Sequence, residues 1–354
     1  VPPVNFYRAI QGTEPATIAR AAALTFMGAR LEDWPEPRRT DFQAFFSRVA
    51  YKNTAEWKEQ IIHLDPAATE PVTAAFPDGR RVTVPVGQDP RVVFADWLID
   101  AKNPWFARNL VNRTWAELMG RGIIHEPDDI RPDNPPVHPR LLAYLEGEFV
   151  RSKFNRKHLI RLIVNSRTYQ QSSIPQSDDK DATRLFACYP VRQMDAEVLI
   201  DALCGLFNSH EQYSSMIPEP FTHIPESLRT IQLADGSISS KFLEMFGRPS
   251  RDTGLWSERN RTPTEAQRMH LLNSTHIQEK IDRNWPLRRM VRQARGNQRR
   301  LTEALYMMIL SRHPTEAEVE AAVKYFKQSK LSAHDATKDL AWALINTKEF
   351  LYRH

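Results

Sequence analysis

From Asp89 almost to the C terminus, apolar residues recur at intervals of three and four. That spacing places one apolar stripe along a helix, and each such stripe has to be buried against another helix. Val92-Val93, Trp97-Leu98, then Phe106, Leu110-Val111 and Leu118 mark two consecutive helices, the second stopping at Gly120. His138-Pro139 opens another with Leu141, Leu142, Leu145 and Phe149; Leu159 to Ile163 and Met194 to Leu203 fill two more. Leu305, Met308-Ile309, Val319, Val323, Tyr325-Phe326 and Leu340 to Leu344 repeat the pattern to the end. Proline (25 residues) outnumbers glycine (12), which suits helices joined by stiff loops better than a sheet-rich fold with tight turns. The predicted class is mainly α: a large irregular helical domain with a small helical N-terminal segment and one β-hairpin.

The N-terminal segment has the same period. Glu14-Pro15 opens a run through Ile18, Ala22 and Phe26, and Thr40-Asp41 is read as a cap before Phe42, Phe45, Phe46 and Val49. Trp57, Ile61 and Ile62 continue the helical reading. Between Pro71–Phe76 and Arg81–Val86, both β-rich, Pro77-Asp78-Gly79 predicts a hairpin turn. The expected organisation is therefore a helical tail over 1–65, a hairpin or linker over 66–88, and a helical domain over 89–354. The stretch 208–262 is irregular and too long for a simple linker, and long ordered loops commonly carry function.

Several function classes drop out. The longest apolar stretch, near Ala21–Gly28, is far short of the ~20 residues that span a bilayer. Cys188 and Cys204 are the only cysteines, with no Cys-x-x-Cys pattern, so thiolate zinc sites, iron–sulfur clusters and covalent haem are excluded within the chain. The net charge of +5 is mild for 354 residues. Phosphate-loop, nucleophile-elbow, zinc-helix and calcium-loop motifs are all missing.

Three charged clusters remain. The loop from His125 to His138 carries Asp128, Asp129, Arg131 and Asp133. Such a loop could hold a metal, but without regular ligand spacing its Asp and Asn read as caps and turns. Arg113 lies on the preceding helix, four residues before Glu117, and could read a carboxylate or tie its helix to the acidic loop. The stretch 246–261 packs four arginines, two acids and a tryptophan into sixteen residues, among them Arg248, Arg251, Trp256, Glu258 and Arg259. Planar Arg beside Trp suits a glycan or an anion; an internal ion-pair network is the other reading. The third cluster, Arg283, Arg288, Arg289, Arg292, Arg295, Arg299 and Arg300 with Trp285, is either a phosphate-binding stripe or the solvated face of a helix pair.

Several ordered motifs also stand out: Asn103-Pro-Trp-Phe-Ala-Arg-Asn-Leu-Val-Asn112-Arg113-Thr-Trp115, Gly120-Arg-Gly122, and Asp128-Asp129-Ile-Arg-Pro-Asp-Asn134-Pro-Pro-Val-His138. Phe154-Asn-Arg-Lys-His-Leu-Ile160, Asn165-Ser-Arg-Thr-Tyr169, Leu271-Leu-Asn273 and Glu349-Phe-Leu351 follow in the same order. Over about 89–354 this set resembles the C-terminal domain of unknown function of the large cytochrome-associated proteins of planctomycetes and verrucomicrobia. Asn5-Phe-Tyr-Arg8, Phe26-Met-Gly28 and Phe45-Phe-Ser-Arg-Val49 resemble the tail of the uncharacterised domain that usually precedes it. The resemblance implies an exported protein, periplasmic or at the cell surface; any signal peptide would lie upstream of Val1. Two Cys motifs common among relatives are replaced here, by Arg30-Leu-Glu-Asp-Trp34 and by Gly254-Leu-Trp256-Ser-Glu258. No cofactor is therefore expected in this chain.

The leading functional expectation is a non-catalytic binding or scaffold domain whose partners are other domains of the same polypeptide, a glycan or a neighbouring protein. The alternative is a polysaccharide-acting enzyme using carboxylates of the 125–133 and 252–258 loops. Nucleic-acid binding through the Arg283–Arg300 stripe is the third and least favoured reading. The two charged loops are expected to meet, with Arg113 or Arg131 beside an acid, Arg248, Arg251 or Arg259 beside Asp128 or Asp129, and Trp256 at the rim.

Overall fold

The computed structural model describes residues 10, 12–54, 60–176, 178–214, 224–233, 238–249, 254–282 and 285–353. More than half of the chain is helical, and among the described residues the strands form only two-stranded pairs, in line with the predicted class. It divides into two compact units, residues 1–190 with 251–258, and residues 191–250 with 259–354.

The first unit begins with α1 (Pro15–Ala22), with proline at its first turn where no backbone donor is lost. A π-helical turn over Ala23–Met27 continues it to Gly28, at φ +62°. Phe42 of α2 (Glu36–Gln43) and Phe46 just beyond it pack edge-on against Phe94 on α3 (Pro90–Leu98), Phe42 and Phe94 being 5.2 Å apart, and Phe45 meets the same ring at a tilt. Thr40 and Asp41 lie inside α2 rather than capping a later helix, and the Thr40 hydroxyl donates to the Glu36 carbonyl (3.1 Å).

The segment read as helical from Val49 to Ile62 is different. β1 (Val49–Asn53) and β2 (Gln60–Leu64) pair antiparallel, Val49 opposite Leu64, while Trp57 lies outside the described residues. β3 (Val72–Ala75) and β4 (Arg81–Val84) form the expected hairpin. This hairpin is core, since Ala74, Phe76 and Val82 join the aromatic cluster and Phe76 stacks on Trp97 at 5.2 Å. Buried Arg48 fastens the surrounding loops by donating to the carbonyls of Glu70 (2.6 Å), Pro85 and Gln88 (3.0 Å each).

The same unit holds a second core. α4 (Pro104–Met119) starts at Asn103, whose side chain accepts from the Trp105 amide (2.8 Å), and ends at Gly120 with φ +77°. Its Val111, Trp115 and Met119 pack with Leu142, Leu145 and Phe149 of α5 (Pro139–Arg151) and Leu159 and Ile163 of α6 (Arg156–Val164). A short helix, α7 (Arg167–Gln170), follows.

The second unit is built around α8 (Ala196–Phe207), whose Leu199, Ile200, Leu203 and Phe207 are fully buried or nearly so. Around it lie α9 (Lys241–Met245), α10 (Glu265–Asn273), α11 (Thr275–Asp282), α12 (Trp285–Ala294), α13 (Gln298–Leu310), α14 (Glu316–Gln328), α15 (Ala333–Ile345) and α16 (Lys348–Leu351). Thr315 and Glu318 form a capping box at the start of α14. Arg312 then holds that box to the C terminus, forking onto Glu318 (2.8 and 2.9 Å) and Glu349 (2.6 and 2.8 Å). The unit closes where β5 (Arg192–Gln193) pairs with β6 (Tyr352–Arg353).

Candidate functional site

In the first unit, Asn112 of α4 fastens the following loop by a two-point clamp. Its amide nitrogen donates to the Ile124 carbonyl and its oxygen accepts from the Ile124 N–H, both at 2.9 Å. Gly122 has no room for a side chain, because a Cβ would lie 2.1 Å from the Ile124 oxygen. One turn from Asn112, Asn109 donates to the Thr25 carbonyl in the π turn (2.8 Å). The Ile130 amide reaches the Gly28 carbonyl (2.9 Å), and a Cβ on Gly28 would strike the Asn109 oxygen at 2.7 Å.

These contacts carry Asp128 into the interior, where its exposure is 0%. Arg113 forms an ion pair with one carboxylate oxygen, and the backbone N–H of Trp256 donates to the other. Burial pushes the Asp128 carboxyl above its ordinary range, with Arg113 and the Trp256 amide pulling against it. The loop's other charges pair among themselves: Arg131 meets Asp129 at 3.0 Å and Asp133 at 3.4 Å. Glu258 accepts from the Gly254 amide (3.2 Å) beside the short 3-10 turn Trp256–Glu258. Trp256 is half-buried.

The expectation for Arg248 and Arg259 is corrected. Both converge on Glu197 of α8, in the second unit, instead of on Asp128 or Asp129. Arg259 grips Glu197 with two bonds of 2.8 Å, and Arg248, almost fully buried, stands 3.5 Å away with another donor on the Ile238 carbonyl. Burial alone would raise Glu197, but the Arg259 fork outweighs it and holds the carboxyl below its ordinary range. Gly247, at φ +80°, lets Asn260 come so close that a Cβ would lie 1.9 Å from its oxygen. Thus Arg113, Asp128, Asp129, Arg131, Trp256 and Glu258 belong to one unit, Arg248 and Arg259 to the other, and the contacts described above fall within each unit. Arg251 lies outside the described residues.

The arginine-rich stripe is a solvated helix face. Leu287 and Leu301 are buried, Trp285 is exposed with Arg289 5.4 Å over its ring, and Arg299 is tied to Glu303 and Glu316. Arg283 is not among the described residues.

Two features have no counterpart in the motif reading. The first is an open groove of about 670 Å³ in the first unit, lined by His138, Arg140, Leu141, Thr168, Leu185 and Phe186. His138 bonds the Leu185 carbonyl (3.1 Å), and exposed Arg140 has no ion-pair partner among the described residues. The second is a buried polar chain in the second unit. Lys280 sits 2.5 Å from Glu211 and 3.5 Å from the Cys204 sulfur, Glu211 meets His276 (2.9 Å), and His276 meets His270 (3.2 Å). Hydrogen bonds from His276 and Lys280 overcome the burial of Glu211 and hold it below the ordinary glutamate range, whereas burial lowers His270. In sequence, His276 and Lys280 show only as one helix face; Cys204 and Glu211 arrive through tertiary packing. Among the described residues no group of three or more His, Cys, Asp or Glu is placed to hold a metal, and no helix is long and apolar enough to cross a membrane.

What these features define is a mainly helical protein of two compact units, whose motif residues make internal contacts. The chain belongs to the PSD1 family, described as a protein of unknown function (DUF1553), whose model matches residues 90–326. No curated protein and no solved structure matches it.

Proposed function

We propose that this chain is a non-catalytic binding or scaffold domain of an exported, cytochrome-associated multidomain protein, positioned by the other domains of its own polypeptide. The supporting observation is the fate of the polar motif residues. Asn103, Asn109, Asn112, Arg113 and Asp128 each make a hydrogen bond or ion pair within the fold, as does Glu349 with Arg312. A catalytic carboxylate needs a face open to substrate. Asp128 has none, and Asp129 and Asp133 are paired with Arg131. In this reading the chain carries no cofactor, and redox chemistry belongs to other domains.

The groove at His138–Leu141 is the best place for a ligand. Its walls from Leu141, Leu185 and Phe186 suit the apolar face of a sugar ring, and the free Arg140 guanidinium suits a carboxylate, so the favoured ligand is an acidic glycan. The test is retention on immobilised uronate-containing polysaccharide against a neutral one. Binding to the acidic polymer, lost in Arg140→Ala, is the expected result. Metal-independent turnover of the glycan, abolished by replacing an acidic residue, would overturn the non-catalytic reading; equal retention on both polymers would remove the glycan.

A further inference from the structure

Lys280 is a lysine in the wrong place for solvation: only 7% of its side chain is exposed, on the inner side of α11. Glu211 explains its charge, and the same ammonium also meets a thiol. Cys204 projects from α8 to within 3.5 Å of Nζ, and the residue itself is only half-buried. Both side chains are held by packed helices, so their encounter needs no search. We propose that Cys204 and Lys280 are an oxidant-responsive pair, in which peroxide converts the thiol to a sulfenic acid and Lys280 then closes on sulfur to cross-link α8 to α11.

The chemistry balances in two steps. In the first, the Cys204 sulfur gives two electrons to hydrogen peroxide: the O–O bond breaks, an S–O bond forms, and one water leaves. In the second, the Lys280 amine attacks sulfur, an S–N bond forms, the S–O bond breaks, and the hydroxyl leaves as water with a proton from nitrogen. Sulfur is the only atom oxidised and peroxide the only oxidant. The ammonium must first lose a proton, for which Glu211 and, behind it, His276 and His270 form the exit. Burial raises the Cys204 thiol while the charge of Lys280 opposes this, so the first step is slower than at an open thiol and accelerates with rising pH.

The experiment is hydrogen peroxide treatment of the folded chain, followed by intact mass and tryptic mapping with and without dithiothreitol. The expected product is lighter than the starting protein by two hydrogen atoms, resists trypsin at Lys280, joins the Cys204 and Lys280 peptides, and reverts with thiol. Cys204→Ser and Lys280→Arg should both lose the joined peptide, and Lys280→Arg, which keeps the cation beside Glu211, should instead carry sulfinic acid at Cys204. Sulfinic acid at Cys204 of the unsubstituted chain, with normal cleavage at Lys280, would overturn the proposal. So would a disulfide to Cys188 as the sole product. The map of the unsubstituted chain decides the matter even if a variant fails to fold.

Discussion

Asp128 and Glu197 are both buried carboxylates gripped by arginine, yet they respond to pH in opposite directions. The Glu197 carboxyl is held below its ordinary value of 4.5, so its contribution is fully present above that pH and is lost as pH falls through the depressed value. Glu197→Gln should cost about 3 kcal/mol at pH 6 by leaving Arg248 and Arg259 without their counter-charge. The gap to the unsubstituted chain in urea midpoints should narrow as pH falls toward 3. The Asp128 carboxyl is raised above 3.8, so its favourable contribution is present below that value and lost as pH rises through the higher one. Asp128→Asn should therefore look worst near pH 3.5 and recover relative to the parent toward pH 7; a constant gap would contradict the burial argument. Asn112→Ala should cost about 2–4 kcal/mol in chemical denaturation, because it strands a buried amide and a buried carbonyl of Ile124. The Arg113 pairing was legible in sequence, since an acidic loop directly follows its helix. Glu197 was not, because nothing local marks a partner 62 residues from Arg259.

Helices announced by proline and glycine punctuation were read correctly at the level of whole elements: Pro15, Pro139 and Gly120 all stand where a helix begins or ends. The error lay where period and propensity conflict. Val49, Ile61 and Ile62 fit a helical stripe as readily as two short strands, and runs this short do not separate the two periods. The deciding facts are tertiary, namely the pairing of Val49 with Leu64 and the burial of Arg48 among three carbonyls. At Gly247 the element-level constraint is severe, combining a positive φ with a backbone contact that admits no Cβ. Gly247→Ala should destabilise the second unit by about 2–3 kcal/mol, with hydrogen exchange rising in α9 and α10 before the α13–α14 pair. Unchanged protection in α9 would show that Asn260 can move aside.

For the molecule as a whole, the family segment and the compact units do not coincide. The family match runs from Pro90, the first residue of α3, to residue 326. The compact units divide at 190/191, and the hairpin at 72–84 lies within the first of them, supplying Ala74 and Phe76 to its core. Hydrophobic period alone cannot say which helices share a core, nor that a short piece around Trp256 belongs with residues far earlier in the chain. That piece has a consequence for how the protein is made. The second partner of Asp128 lies 128 residues downstream. At about 5–20 residues per second, a ribosome takes roughly 6–26 s to add them. Through that interval the nascent first unit holds a carboxylate that must stay hydrated or lean on Arg113 alone, so its contact with the Trp256 amide is made only after residues 191–250 of the second unit have been translated. The N-terminal half is thus finished by the C-terminal half.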